Sequence, residues 1–469
     1  MTGGHDGFHG SLRDAEPNVF WLDNSDAPTP REPMSASTET DLLVVGGGFT
    51  GLWAALQAKE REPDRDVVLV EGDFIAAHAT GRNGGFCDAS ITHGLHNAIA
   101  HFPKEVTQLV ALGRENFAGI EAAIRRYAID AAFEPTGGLT AACAPWQLRD
   151  LEARIATELE YGERVALLDR EAMQALVHSP TYVGGVRTDE GVAIVDPARL
   201  AWGLAAAAES LGVRIFERTR IESLVAMPNA VVAEAPGSQV RARKVVLGTN
   251  ALSHLVGATR RRVVPVWDYV LVTEPLTDTQ RSAIGWSGRE GIGDAANQFH
   301  YYRLTPDNRI LWGGYDAVYY RGGDVSDARA QRMETFDLLA RHFFATFPQL
   351  EGLRFTHRWG GVIDTSSRFC VTFGTAHDHR VSYAVGYTGL GVAATRFGAR
   401  VALDLVDDPN SELLRLGFVR SKPIPFPPEP LRNAVIQLTR RSIANADRNE
   451  GRRGPWLRLL DAIGVGFDS

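Results

Sequence analysis

Asp41-Leu42-Leu43-Val44-Val45-Gly46-Gly47-Gly48-Phe49-Thr50-Gly51 is the stretch that decides the fold. Its apolar half has the unbroken hydrophobicity of a parallel strand covered on both faces. Gly46, Gly48 and Gly51 then form GxGxxG, with Thr50 inside it, and Leu52, Ala55, Leu56 and Lys59 follow at helical spacing. A second apolar strand, Asp66 to Val70, ends at Glu71, 20 residues beyond Gly51. In such a βαβ unit the first glycine allows the tight turn, the second lets a pyrophosphate approach the backbone, and the third lets helix and strand pack closely. The free N–H groups and partial positive charge of the helix start favour phosphate. Glu71 is placed to accept hydrogen bonds from ribose hydroxyls and would repel a 2′-phosphate. The unit predicts a dinucleotide site and leaves FAD and NAD open.

Outward from that unit, 469 residues suit two large domains, and 44% hydrophobic with 23% charged residues is ordinary globular composition. With 49 basic against 57 acidic residues, a net charge of -8, the chain has no basic excess for nucleic acid, and a small-molecule partner is expected. Cys87, Cys143 and Cys370 are too few and scattered for a disulfide framework or a metal site, so a reducing cytoplasm is the expected compartment. No apolar run is long enough for a membrane span. His93, His96 and His101 lack the spacing and partners of a metal site, and no metal is expected.

Residues 1–40, rich in Gly, Pro, Asp and Ser without periodicity, read as a mobile or surface-hugging extension. Helical spacing recurs from Asn116 to Tyr127, Gln147 to Glu160, Arg170 to Val177 and Ala198 to Leu211, the last capped by Asp196, begun by Pro197 and ended by Gly212. Strands are expected at Gly137–Ala142, Val213–Phe216, Lys244–Leu247, Trp267–Thr273, Ile310–Tyr315 and Ser382–Val385, the last leading through a glycine turn into a helix from about Val392 to Leu405. After the Pro-rich connector starting at Lys422, the tail carries Arg432, Arg440, Arg441, Arg448, Arg452, Arg453 and Arg458. It reads as a basic helix on the protein's own acidic surface, with an inter-subunit contact, and so a homo-oligomer, as the competing reading.

Ala77-His78-Ala79-Thr80-Gly81-Arg82-Asn83-Gly84-Gly85-Phe86 carries the information that the βαβ unit lacks. Here the chain resembles the D-amino acid oxidase superfamily of flavoenzymes, in its glycine oxidase, sarcosine oxidase and gamma-glutamylputrescine oxidase branch, whose members have GASGRNGG-like loops. The resemblance continues in order through Val195-Asp196-Pro197, Lys244 to Ala251, Thr273 to Leu276, Tyr301-Tyr302-Arg303 with Gly313-Gly314, Trp359-Gly360-Gly361 and Gly386 to Gly391. It implies an α/β fold. A discontinuous Rossmann-like FAD-binding domain (41–95, 190–264, 356–420) would be joined to an α+β substrate domain with a mixed, largely antiparallel sheet (96–189, 265–355), with 421–469 as connector and tail.

The resemblance also implies roles. The loop, with Thr80, Arg82, Asn83, Gly84 and Gly85, would run beside the FAD pyrophosphate and beneath the isoalloxazine. For Arg82 and Asn83, a purely structural hydrogen-bonding loop is the competing reading. Ile221 would meet the adenine through its backbone, and Thr249 would lie near the nucleotide. The late turn with Gly386, Gly389, Leu390 and Gly391 would bring a helix start toward flavin N1, where it would stabilise charge after hydride transfer. His78 departs from the family loop and opens two readings, a covalent histidyl flavin or a loop histidine beside a noncovalent one. Cys370 falls too late to match the cysteinyl flavin of some relatives.

Relatives of this branch oxidise the carbon–nitrogen bond of a small amine or amino acid, giving an imine and, with molecular oxygen, hydrogen peroxide. The alternatives are a dehydrogenase that passes electrons to a quinone or carrier protein, and a non-catalytic flavin module. Arg303 matches a position near the substrate in some relatives, and its planar fork suits a carboxylate, with a structural ion pair as the rival reading. Tyr302 and Trp359 are candidate walls of an apolar pocket over the flavin, against ordinary core packing.

Overall fold

The computed structural model describes residues 10–252 and 254–465. The strand expected from the first motif is β1 (Thr38–Val45), and its neighbour β2 is Val67–Val70. With β3 (Ser238–Leu247) and, later, β8 (Val381–Val385), they form a parallel core in the order β8-β3-β1-β2, continued in parallel by Arg214–Phe216. Thr372–Ala376 adds antiparallel to β8, and a hairpin of Ser223–Met227 and Ala230–Ala235 pairs with β3. All four residues of β2 and all five of β8 are buried, which explains why these strands read as continuous apolar runs. Helix α1 (Phe49–Arg61) and a later helix packed against it bury the other side of this core.

The second sheet is built on four long or central strands, β4 (Val263–Thr273), β5 (His300–Leu304), β6 (Ile310–Gly314) and β7 (Phe355–Ser366). Its order is β7-β4-β6-β5, followed by Gly291–Asp294, Gly138–Ala142, Gly184–Thr188 and Val165–Leu168. Every pairing is antiparallel except Gly291–Asp294 with Gly138–Ala142. One face packs on a helix at Met333–Thr346, through Tyr269, Trp312, Phe336 and Phe343 among others. Residues 356–366, placed with the nucleotide segments in the sequence reading, lie on β7, which pairs with β4 over nearly its whole length. A polar-apolar alternation with Trp359 and two glycines does not reveal which of two sheets a strand joins.

The amino-terminal stretch differs most from expectation. Residues 1–9 lie outside the described residues, but the rest of the supposed extension is packed. Leu12, Ala15, Trp21 and Met34 are buried, and the Trp21 indole N–H donates to the Asn83 carbonyl at 2.9 Å. Single apolar anchors spaced along irregular backbone have no period, so the segment's composition hides its role. Further on, the helix at Pro197–Ser210 is capped as expected, the Asp196 carboxylate accepting from the Ala198 and Arg199 N–H groups at 3.0 Å each.

Candidate active site

The two glycine turns face one another across a single cavity of 1440 Å³. At the first, Gly46 has φ +112° and an added Cβ would stand 2.5 Å from the Gly248 carbonyl oxygen, while one on Gly51 would strike the Gly46 carbonyl at 1.9 Å. Gly46 and Gly48 line the cavity with Phe49 and Thr50, whereas Gly51 lies behind it and lets α1 pack on β1. Gly48 at the start of helix α1 offers no side-chain cap and the first turn holds no acidic residue, so the partial positive charge of the helix start is turned to the cavity. Glu71 lines the same wall, accepting the Gly47 N–H at 2.6 Å and the Asp73 N–H at 2.8 Å. Burial pushes its carboxyl upward against the pull of those amides.

The loop after β2 folds as a one-turn helix, α2 (Ala79–Arg82). Thr80 Oγ1 accepts the Phe49 N–H at 3.0 Å, tying the loop to the start of α1. Asn83 spends its side chain on the loop itself, donating to the Ala79 and Thr80 carbonyls and accepting the Gly85 N–H. Arg82 donates to the carbonyls of Ala77 at 2.9 Å and Gly360 at 3.4 Å and meets Asp327 at 3.3 Å. Thr80, Arg82, Asn83 and Gly84 border the cavity, but Gly85 stands behind it at φ +75°. His78 borders it too, 3.7 Å from the Asp73 carboxylate and close enough to Glu71 to interact with it.

Ile221 and Thr249 also line the cavity. The late turn leads into α3 (Gly391–Asp407), again a helix start without a side-chain cap or first-turn acid. Gly389 (φ +95°), Leu390 and Gly391 face the cavity, and Gly386 (φ +87°) lies beneath them. Asp364 on β7 holds this turn from below, accepting N–H groups of Gly386 at 2.5 Å and Tyr387 at 3.1 Å. The Thr50 hydroxyl donates to that of Tyr387 at 3.0 Å, linking the two turns directly.

Three residues expected at the substrate lie elsewhere. Arg303 is fully buried behind the loop, its guanidinium donating to the Val195 carbonyl at 2.5 Å and the Gly85 carbonyl at 3.2 Å, and burial lowers its pKa to about 9. Tyr302 packs in the second core on Trp312, ring centroids 4.5 Å apart, with its hydroxyl 2.6 Å from that of Tyr182. Trp359 is buried and donates its indole N–H to the Arg82 carbonyl at 2.9 Å. Arg303 and Trp359 therefore brace the loop from behind, and none of the three borders the cavity.

The strand neighbour of Tyr302 takes the expected place. Tyr301 borders the cavity, lies against Gly84 and edge-on to Phe86, and donates its hydroxyl to Asp268 on β4 at 2.5 Å. Alternation along β5 sends Tyr302 to the core and Tyr301 to the cavity. Burial raises the Asp268 carboxyl to about 6, and N–H groups of Tyr269 and Gly314 oppose the rise.

Two helices of the tail, α4 (Leu431–Arg448) and α5 (Pro455–Ala462), close the remaining side. Val435, Ile436, Thr439, Arg440 and Ile443 of α4 border the cavity, a spacing of three and four that places them on one helix face. Asp447 fastens the helix by accepting the N–H groups of Asn297 at 2.9 Å and Gln298 at 3.0 Å. Arg440 does meet an acid, Asp316 at 2.5 Å, but the apolar side of this basic tail covers the cavity rather than resting on an acidic surface. The stripe was present in the sequence and was masked by the count of arginines. Residues 466–469 lie outside the described residues.

His93, His96 and His101 do not converge. His93 borders the cavity with burial lowering its pKa to about 4, while His96 approaches Glu158 at 3.4 Å. Among the described residues no helix is long and apolar enough to cross a membrane.

A family model for FAD-dependent oxidoreductases, named DAO, matches residues 41–405 and thus spans both glycine turns and both sheets. The chain belongs to the DAO family of FAD-dependent oxidoreductases. Gamma-glutamylputrescine oxidoreductase of Escherichia coli (strain K12) is 32% identical over 395 residues, covering 82% of this chain and 88% of that one. A probable oxidoreductase OrdL of Haemophilus influenzae (strain ATCC 51907 / DSM 11121 / KW20 / Rd) is 27% identical, covering 82% and 87%. Glycine oxidase from Geobacillus kaustophilus shares the fold at a TM-score of 0.67 and 18% identity, covering 82% of this chain and 99% of that one. The DAO match ends before the connector, so α4 and α5 lie outside the matched residues.

Proposed function

We propose that this DAO-family protein is an amine oxidase that binds FAD noncovalently across the two glycine turns. The observation that carries the reading is that two helix starts without acidic residues in their first turns, α1 and α3, border one cavity with Glu71 on one wall and the Tyr301–Asp268 pair on another. FAD held there would accept hydride from the carbon next to a neutral amine and pass the electrons to oxygen as hydrogen peroxide, leaving an imine that water hydrolyses.

The residues divide this task. The first turn of α1 with Gly46 and Gly48 would hold the pyrophosphate, and Glu71 the adenosine ribose. Ile221 and Thr249 would flank the nucleotide, and the start of α3 at Leu390 and Gly391 would favour negative charge on the ring. The Asp364 carboxyl, the Arg82 guanidinium and the Asn83 amide are committed to the turns, so these side chains would act by positioning backbone rather than by touching phosphate. His78 beside Asp73 and Glu71 belongs to the ribose side of this arrangement, which favours a noncovalent flavin. An alkylammonium has a pKa of about 10, and the enclosed apolar walls would favour the neutral amine by desolvation.

The visible spectrum of the purified protein tests this reading. Flavin bands at about 375 and 450 nm, bleached anaerobically by primary or N-alkyl amines and restored by air with peroxide formation, are expected. Bleaching without peroxide would indicate a dehydrogenase with another acceptor. Flavin that no amine or amino acid bleaches would overturn the catalytic reading.

A further inference from the structure

We propose that Asp268 binds the substrate amine as its ammonium and takes its proton before hydride leaves the neighbouring carbon, and that the compartment closed by α4 and α5 receives its chain, so that the protein selects amines with an extended apolar chain. The inference rests on the amine-oxidase reading and assigns the substrate class to its cavity.

Asp268, half-buried on β4, borders the cavity. Tyr301 fixes its orientation through the 2.5 Å hydrogen bond, and Tyr301 itself rests on Gly84, so the carboxylate is positioned directly from the cofactor loop. Among the described residues no ion pair includes Asp268, and the charged neighbour that acts on it is another acid, Asp316. A carboxylate in an enclosed site without a cation is costly, and a ligand cation relieves that cost. Asp316 is already matched by Arg332 at 2.6 Å and Arg440 at 2.5 Å.

Two of the three arginines that border the cavity already have acid partners. Arg440 is engaged by Asp316, Arg82 by Asp327 and two carbonyls, and Arg220 lies against Gly72, beside Glu71. Arg303, with the fork expected to grip a carboxylate, is buried behind the loop. Beyond Asp268 the walls turn apolar, with Phe299, Ile436, Ile443, Trp456, Leu460 and Val465 around the space under the tail. Charge at one end and apolar walls at the other match a protonated head on a hydrocarbon chain.

The test uses the FAD-loaded full-length protein and two ligand series. Straight-chain primary amines from butyl to octyl are followed by anaerobic bleaching at 450 nm. An amine of similar size with no hydrogen on the carbon bearing nitrogen, 1,1-dimethylhexylamine, is titrated by calorimetry, since it can bind without being oxidised. Affinity should rise about threefold to fourfold per added methylene. Asp268→Asn should weaken both series by about 100-fold or more with the flavin spectrum and melting temperature unchanged, and Asp268→Glu should recover part of the loss. Ile436→Gln should flatten the chain-length dependence without altering flavin binding.

If Asp268→Asn binds the dimethyl amine as well as the parent, or if the parent does not bind it, the assignment is overturned. It is equally overturned if amino acids bleach the flavin better than amines of the same length. Asp268-dependent binding of the dimethyl amine, with no bleaching by any amine, would leave the binding assignment standing and remove the amine-oxidase reading.

Discussion

The Asp364 carboxylate accepts the N–H of Gly386 at 2.5 Å, and through this contact the second sheet carries the turn that closes the cofactor cavity. Asp364 also accepts from Tyr387, and Gly386 sits at φ +87°, so the turn combines a left-handed glycine with an acid brought from β7. Asp364→Ala would leave two buried N–H groups unmatched, at a cost of about 2–5 kcal/mol. The expected result is a lower melting temperature and sub-stoichiometric flavin, read from the ratio of absorbance at 450 and 280 nm.

The same residue makes stability depend on pH. Burial raises its carboxyl to about 7, above the value of about 3.9 for an unfolded chain, so the folded protein binds its proton more tightly. The stability this group contributes is therefore complete below pH 4 and lost as pH rises through about 7. Asp364→Asn cannot titrate, so the melting temperature of the wild type relative to this variant should fall between pH 5 and 8. A constant difference over that range would show that the carboxyl does not titrate there.

Two tryptophans hold consecutive carbonyls of one loop, Trp359 that of Arg82 and Trp21 that of Asn83. Replacing either by Phe removes one hydrogen bond, worth about 1 kcal/mol, and some packing. Because both act on the same loop, the double variant should deviate from the sum of the single ones by about 0.5 kcal/mol or more. Chemical denaturation gives the stability terms, and flavin release on dilution shows whether the loop loosens. Independent, additive effects would argue against a shared support.

Arg303 is a brace by position, and Arg303→Leu should behave as one. It removes the guanidinium donor from the Val195 carbonyl, while the Gly85 carbonyl keeps the Val195 N–H at 2.8 Å, and a loss of about 1–3 kcal/mol is expected. Michaelis constants for amines and for amino acids should shift together. A rise confined to carboxylate-bearing substrates would instead place Arg303 at the substrate.

His78→Ala addresses the flavin linkage. After acid precipitation of the wild-type protein the yellow colour should appear in the supernatant, and the variant should retain flavin at nearly the parental level. Colour in the wild-type pellet that vanishes in the variant would mean a histidyl flavin.

By itself the sequence determined the strand-turn-helix of Val45 to Gly51, the acid at the end of β2, the order of the family motifs and the two-sheet fold class. Those features are local: a glycine turn, a capped helix or an apolar strand depends on residues adjacent along the chain. Only the tertiary structure decided that Tyr301 and Asp268, not Tyr302 and Arg303, face the cavity. A strand buried on both faces carries no alternation to say which side meets a ligand, and a slip of one residue exchanges Tyr301 and Tyr302, whereas Arg303, on the Tyr301 side, is held behind the loop by the Gly85 and Val195 carbonyls. Trp21 reaching Asn83, and the tail closing over a cavity that begins nearly 400 residues earlier, depend on packing between distant segments that no local period encodes.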